Sequence, residues 1–188
     1  MVIGPLDAEG VLAGAQQIPT PNCDERPDDA AITLLVVHNI SLPPGDYGGD
    51  AIIQFFTNTL DFSADPYYLT LRDSRVSAHF LIRRDGKLVQ FAPCAKRAWH
   101  AGQSNWQGRE RCNDFSLGVE LEGTDYQVFA ESQYLRLAQL ASVLRNRYPL
   151  VDIVGHADIS PVRKTDPGQS FDWGHYRALL ARRWQTLG

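Results

Sequence analysis

The sequence predicts one α/β domain, residues 1–188, built as a mixed central β-sheet flanked by helices. Three observations predict it. The runs AITLLVVHN (31–39) and LGVEL (117–121) are short and apolar, as strands covered on both faces are, and the first is rich in β-branched residues. Tyr134, Leu137, Ala138, Ala141, Leu144 and Tyr148 recur at helical spacing and form one amphipathic face. A chain of 188 residues is the length of one domain with a sizeable core.

Taken in order, residues 19–30 (PTPNCDERPDDA) are rich in turn formers and read as an ordered loop after a short N-terminal segment. The 31–39 strand follows, with His38 at its C-terminal end. Residues 41–50 (SLPPGDYGGD) form a Pro/Gly loop and 51–59 a short helix. Strands at 76–82 and 87–91 are joined through Arg84-Asp85-Gly86, a hairpin signal. Residues 95–114 read as a long loop carrying Trp99, His100 and Trp106, and loops of that length are often functional. The 117–121 strand carries Glu120. The amphipathic helix ends before Pro149. A short strand at 151–154 leads into Gly155-His156, and a last helix starts near Trp173, capped by Asp172, and runs to about Gln185.

Composition narrows the function classes. Apolar residues are 44% and charged residues 21% of the chain, which is the balance of a soluble globular protein. A net charge of −4 supplies no global field for DNA or RNA, so no nucleic-acid partner is expected, and the basic clusters at 109–111 and 182–183 read as solvated surface. The cysteines Cys23, Cys94 and Cys112 are odd in number, widely spaced and without a C-x-x-C, which argues against a disulfide framework or a cysteine zinc knuckle and fits a reducing compartment. Asp7 and Glu9 interrupt the N-terminal apolar residues and no basic region precedes them, so no secretory signal is expected. No apolar run approaches the roughly 20 residues of a membrane span. The expectation is a cytoplasmic protein without membrane attachment.

The unusual polar residues fall at strand ends, where α/β proteins gather their sites. His38 closes one apolar strand and His156 another. Asp166 follows ten residues later in SPVRKTDPG, a loop that its prolines and glycine fix and that can fold back towards His156. Two imidazoles and one carboxylate are a known catalytic zinc set that leaves one position to water. Lys164 would share a side with Asp166 in an extended loop and could stabilise an oxyanion beside a metal. Glu120 is a carboxylate in an apolar strand and needs a specific partner, for which a metal-bound water is one candidate. On residue pattern alone other readings stay open: a hydrogen-bonded structural role for either histidine, a turn role for Asp166 before Pro167-Gly168, and an arginine partner for Glu120.

The segments LLVVHNISLPPGDYGG, RVSAHFLIRRDGKLVQF, KRAWHAG, GRERCNDFSLGVELEGTD and GHADISPVRKTDPGQSFDW resemble the anhydro-N-acetylmuramoyl-L-alanine amidases. These belong to a wider zinc amidase family with phage zinc lysozymes and peptidoglycan recognition proteins. The resemblance runs from about residue 8 to residue 185. It implies zinc-dependent hydrolysis of the amide bond between the lactyl group of anhydro-N-acetylmuramic acid and L-alanine in anhydromuropeptides. In bacteria this step belongs to cytoplasmic cell-wall recycling, and its failure lets anhydromuropeptides accumulate and induce a chromosomal β-lactamase. By motif, His38, His156 and Asp166 fall on the zinc ligands, and Glu120 and Lys164 on the catalytic carboxylate and lysine. Arg75 and Arg111 fall on residues that bind the peptide's carboxylates, and Asn39 and Ala98 on positions lining the substrate pocket. Phage members and catalytic recognition proteins tend to place cysteine where this chain has Asp166, so none of the three cysteines should bind metal. The expected partner is the anhydromuropeptide, with no protein partner required.

The remaining candidates read more plainly. His79 belongs in the core, His175 on the surface, and Arg109 among solvated residues. His100 shapes the pocket beside Trp99; Trp99 and Trp106 either stack on sugar or cap the core. Two rival functions remain in view: a muropeptide-binding module without catalysis, which needs neither Glu120 nor Lys164 nor a third ligand, and a zinc peptidase acting within the stem peptide.

Overall fold

The computed structural model describes residues 3–185; residues 1, 2 and 186–188 of the expected 1–188 unit lie outside the described residues. The chain passes through β1 (Gln16–Gln17), β2 (Cys23–Glu25), β3 (Leu34–Ile40) and α1 (Ala51–Phe56), then β4 (Phe80–Ile82) and β5 (Leu88–Gln90). β6 (Lys96–Ala98), β7 (Asn105–Trp106), β8 (Arg109–Glu110) and β9 (Ser116–Glu122) follow. Last come α2 (Glu131–Arg147), β10 (Asp152–Gly155), α3 (His156–Ile159) and α4 (Trp173–Gln185).

Six strands form one mixed sheet in the order β1-β5-β4-β9-β3-β10. Every pairing is parallel except β4 with β5. The predicted α/β class and mixed sheet are therefore found. So is the hairpin at Arg84-Asp85-Gly86, where Arg83 N and Lys87 O are bonded and Gly86 takes φ +81°.

β9 reads SLGVELE and divides its residues between two faces with period two. Leu117, Val119 and Leu121 join Leu35, Val37, Phe80 and Ile82 in the main core, against Leu137, Ala138, Leu140, Ala141 and Leu144 of α2 and Tyr176 and Leu180 of α4. Ser116, Gly118, Glu120 and Glu122 face the other way. That second face is covered in two halves. Ile52, Phe55 and Phe56 of α1 pack with Leu81, Val89 and Phe91 on one side. Ala101, Cys112, Phe115 and Ile159 pack with Leu34, Val36 and Val154 on the other. A gap between the halves leaves the ends of β3 and β9 uncovered. In register, His38 pairs with Glu120 there.

Several boundaries differ from expectation. The 95–114 stretch is not a loop: it holds β6, which pairs antiparallel with β2, the β7–β8 hairpin, and a 3-10 turn at Cys112–Asp114. Strands of two or three residues are too short for periodicity to register. The 76–82 strand shrinks to β4, because Ser77 N bonds to Trp99 O instead of continuing the sheet ladder. The 51–59 helix ends at Phe56, and Asn58 adopts φ +60°. His156 does not close β10 but opens α3. The Asp172 cap on α4 is as expected, with His175 N bonded to Asp172 Oδ1 at 2.8 Å.

The 19–30 stretch, expected as a loop, holds β2, and Arg26, directly after that strand, secures the second face. Its guanidinium donates to the carbonyls of Cys94, Asn113, Asp114 and Ser116 at 2.9–3.3 Å. Burial lowers its pKa to about 10, so it stays charged at neutral pH. Replacing Arg26 by Ala strips those carbonyls of a common donor, and each buried orphan costs about 1–3 kcal/mol. Urea unfolding of Arg26→Ala is expected to show a loss of at least ~3 kcal/mol; a change below ~1 kcal/mol would mean water replaces the guanidinium without penalty.

Candidate functional site

Neighbouring strand ends, not neighbouring sequence, assemble the site. Val37 of β3 pairs in parallel with Gly155 of β10, so the next residues, His38 and His156, emerge side by side. Asp166 joins them because its loop folds back: Asp166 O accepts from Ala157 N at 2.9 Å. A Cβ on Gly155 would lie 2.7 Å from Pro167 Cδ, so the glycine is what lets the loop sit this close.

Three side-chain atoms converge. His38 Nδ1 lies 3.0 Å from His156 Nδ1 and 3.0 Å from Asp166 Oδ2, and His156 Nδ1 lies 3.1 Å from Asp166 Oδ2. His156 Nε2 donates to Ala101 O at 3.1 Å; a carbonyl only accepts, so the proton sits on Nε2 and Nδ1 presents a lone pair. His38 Nε2 is engaged by His100 Nδ1 at 3.0 Å. Burial lowers His38 to about 4, in spite of Asp166, so at neutral pH its ring is uncharged. Asp166 adds a carboxylate oxygen, Oδ2, that faces both Nδ1 atoms. Three electron-pair donors facing one another in a buried spot repel unless a cation lies between them. Ligand atoms sharing a tetrahedral zinc with bonds of 2.0–2.1 Å stand about 3.3 Å apart, close to the spacing found. The donor set fits a metal ion, and His38, His156 and Asp166 are the residues that could hold it.

Glu120 lies beside this cluster. Its Oε2 is buried without a hydrogen-bond partner. Burial first, then the charge of Asp166, raises its pKa well above the ordinary carboxylate value, and Lys164 offsets this in part. Among the described residues no arginine pairs with it; Lys164 is the cation that acts on it. Glu122, two residues on, is the opposite case: its carboxylate accepts from Arg83, Arg84 N and Gly48 N at 2.8–3.0 Å. Glu122 thereby ties the 41–50 loop to the sheet.

His38, Asn39, Glu120, His156, Lys164 and Asp166 all line one open cleft of about 680 Å³, in the size range of small-molecule sites. Leu42, Pro44 and Gly45 from the 41–50 loop, Phe55 and Phe56 from α1, and Tyr67 and Tyr126 at the rim complete it. Asn39 is held by Asp125, whose Oδ1 accepts from Asn39 Nδ2 at 2.7 Å.

The other expected residues are placed differently. Arg75 is folded onto the carbonyls of Arg72 and Ser74, next to the cleft-lining Ser74 and Val76. Arg111 is exposed, pairs with Asp114 at 3.2 Å, and lines a second groove of about 570 Å³. Arg163 lines both this groove and the cleft. Ala98 departs from its expected place in the pocket lining: it is fully buried in β6 opposite Cys23. Trp99 is held by its backbone, N donating to Asn22 O and O accepting from Ser77 N, and Trp106 caps the core beside Asp152, to which its indole donates. His79 is a core residue as expected, accepting from Gly118 N. Asp125, Glu122 and Arg163 went unnoticed in the sequence; only the alternation in SLGVELE pointed to Glu122.

A mixed α/β sheet with a potential metal centre and an unpaired carboxylate at its strand ends defines a hydrolase built on a cleft. The chain belongs to the N-acetylmuramoyl-L-alanine amidase family (Amidase_2), which matches residues 28–169, and it is thus an enzyme that hydrolyses an amide bond. It is 56% identical over 174 residues to 1,6-anhydro-N-acetylmuramyl-L-alanine amidase AmpD of Citrobacter freundii, covering 92% of this chain and 93% of that one. It is 49% identical to the AmpD of Haemophilus influenzae, covering 89% and 93%. Among solved structures, a Se-Met AmpD derivative superposes with a TM-score of 0.91 at 56% identity, covering 94% of this chain and 99% of the other. The E. coli amidase AmiD, in complex with anhydro-N-acetylmuramic acid-L-Ala-D-gamma-Glu-L-Lys, superposes at 0.59 with 29% identity, covering 94% and 65%.

The elevated Glu120 pKa has a thermodynamic sign. A carboxyl protonated more readily folded than unfolded makes the folded state lose stability as pH rises above the unfolded value near 4.3. In metal-free protein, Glu120→Gln is expected to raise Tm at pH 7, and the gain should vanish below about pH 4, where both states are protonated. Thermal melts of the two proteins from pH 3.5 to 7.5 check this; an equal Tm throughout would mean Glu120 is not held against ionisation.

Proposed function

We propose that the chain is a zinc-dependent amidase that cleaves the bond between the lactyl group of anhydro-N-acetylmuramic acid and L-alanine in anhydromuropeptides, in cytoplasmic cell-wall recycling. The observation that carries this reading is the convergence of three electron-pair donors beside a buried carboxylate with one unpartnered oxygen. The AmpD identity across more than nine-tenths of the chain supports the substrate. Among the described residues no helix is long and apolar enough to cross a membrane. We treat 1–188 as one catalytic domain that needs no protein partner.

His38, His156 and Asp166 hold the zinc, which when bound supplies Lewis-acid polarisation of the scissile carbonyl and acidifies water towards a pKa of about 7. Glu120 takes the proton of the attacking water and returns it to the departing amine of L-alanine. Its unsatisfied oxygen and raised pKa suit both halves of that transfer. Lys164, on the cleft wall, places a positive charge near the developing oxyanion. Asn39, steadied by Asp125, contacts the substrate from the cleft floor. The stem peptide leaves the cleft past Arg163 into the second groove, where Arg111 meets its carboxylates, and Arg75 does the same from the rim. Arg111 takes φ +60°, a left-handed backbone that costs a non-glycine residue about 1–2 kcal/mol; strain kept in an exposed residue supports a functional role.

Mass spectrometry of an anhydromuropeptide after incubation with the zinc-loaded protein tests the reaction. Free anhydromuramic acid and an intact stem peptide are expected. A cut within the peptide would make the protein a zinc peptidase, and tight binding without a cut would make it a binding module. Glu120→Gln and Lys164→Ala should keep zinc while kcat drops by about 10²-fold or more, whereas His38, His156 and Asp166→Ala variants should lose zinc. Arg111→Gly should raise KM without lowering Tm, because glycine relieves the left-handed strain; an unchanged KM would remove Arg111 from the substrate site.

A further inference from the structure

The notable feature outside the donor triangle is a buried chain of hydrogen bonds that runs away from it. Its far end fixes its direction. Ser116 Oγ lies 2.6 Å from Cys112 O, a carbonyl that only accepts, so the hydroxyl proton points there. Ser116 Oγ is then the acceptor for His100 Nε2 at 3.2 Å, which places the His100 proton on Nε2. His100 Nδ1 is left with a lone pair, and it faces His38 Nε2 at 3.0 Å. His38 must therefore carry its proton on Nε2 and offer the Nδ1 lone pair to the cluster.

The scaffold holds this chain tightly. The His100 ring lies flat over Gly118 of β9: a Cβ at 118 would stand 2.5 Å from His100 Cγ and 2.7 Å from Nδ1. Asn113 Oδ1 accepts from both His100 N and Ala101 N, at 3.1 and 2.8 Å. The same short segment thus presents the His100 ring to His38 and the Ala101 carbonyl to His156. Both ligand rings receive their tautomer from two consecutive residues clamped by one side chain.

We propose that His100 and Ser116 are positioning residues that set the tautomer and orientation of His38, so that Nδ1 faces the metal before the metal arrives. The inference rests on the zinc reading above. An outer hydrogen bond to a metal-binding histidine is commonly worth 10–100-fold in affinity.

The test uses His100→Leu, His100→Asn and Ser116→Ala in the full chain. Asn places an amide oxygen near the position of His100 Nδ1, so it keeps an acceptor for His38 while losing the bond to Ser116. Zinc affinity, measured by competition with a chromophoric chelator, is expected to fall by about 10–100-fold in His100→Leu and to recover largely in His100→Asn. Ser116→Ala, a smaller change in bulk, should weaken zinc by several-fold. Side-chain ¹⁵N NMR of metal-free protein should report the Nε2–H tautomer for His38 in the wild type and a mixture in His100→Leu and Ser116→Ala. Wild-type zinc affinity in a folded His100→Leu, or Asn no better than Leu, would overturn the positioning role. So would a wild-type His38 protonated on Nδ1. Failure of the wild type to bind zinc at all would instead overturn the metal reading, and the tautomer spectra would still judge the hydrogen-bond chain separately.

Discussion

Parallel pairing of β3 with β9 sets His38 opposite Glu120, and the rest of the molecule is arranged around that register. A slip of one residue would turn the site-facing row of β9 into the main core and its leucines into the cleft. The register is held from the core side, where Leu117, Val119 and Leu121 interleave with α2 and α4. The other face is filled from two directions by unrelated pieces, α1 and the 99–115 segment. Neither piece covers the C-terminal ends of β3 and β9, and the cleft is what remains there.

This arrangement makes the site electrostatically expensive. Two imidazole lone pairs, an ionised carboxylate and a buried carboxyl sit within one pocket, and apolar residues of similar volume would fold more comfortably. A metal ion held there would turn the repulsion among the first three into attraction and would lower the field that raises Glu120. The protein therefore preorganises its own charge imbalance, and the energy for it comes from the sheet. The buried arginine Arg26 and the carboxylate Glu122 are spent on holding backbone in place, with their hydrogen bonds satisfied. Glu120 alone of the buried carboxylates on β9 is left with an open oxygen.

How much of this could be read in the sequence follows from what each residue depends on. His38, His156 and Glu120 were visible because each interrupts or ends an apolar run, a local signal. Asp166 was visible because prolines and a glycine fix its loop. The α/β class, the central strands and α2 followed from periodicity. β6, β7 and β8 did not, because two or three residues carry no period and their pairing partners lie elsewhere in the chain. The reach of His100 to His38, 62 residues away, is set by the seat that Gly118 provides, and no local pattern encodes it. The burial of Ala98 opposite Cys23 likewise follows from the pairing of β2 with β6, which short strands conceal.

Floor and rim differ in physical character, and the difference bears on specificity. His38, Asn39, Glu120 and His156 sit on strands or at their ends, where register and packing fix them, and the loop that carries Asp166 is tied back by the bond from Ala157 N to Asp166 O. Arg75 and Arg111 sit on connecting segments, and neither has a deeply buried partner: one is satisfied by nearby carbonyls, the other by a single aspartate. Such groups can exchange those contacts for a ligand's carboxylate at small cost, since exposed ion pairs are worth little to the free protein. The arrangement divides the labour. A rigid floor can hold a fixed geometry, while Arg75 beside the cleft and Arg111 in the groove can yield to a ligand. Arg163 is the wall the two spaces share, and it couples them: its Nη2 donates at 2.9 Å to Ala101 O, the carbonyl that His156 Nε2 also reaches at 3.1 Å, so a change at Arg163 should be felt in the donor cluster while a change at Arg111 should not.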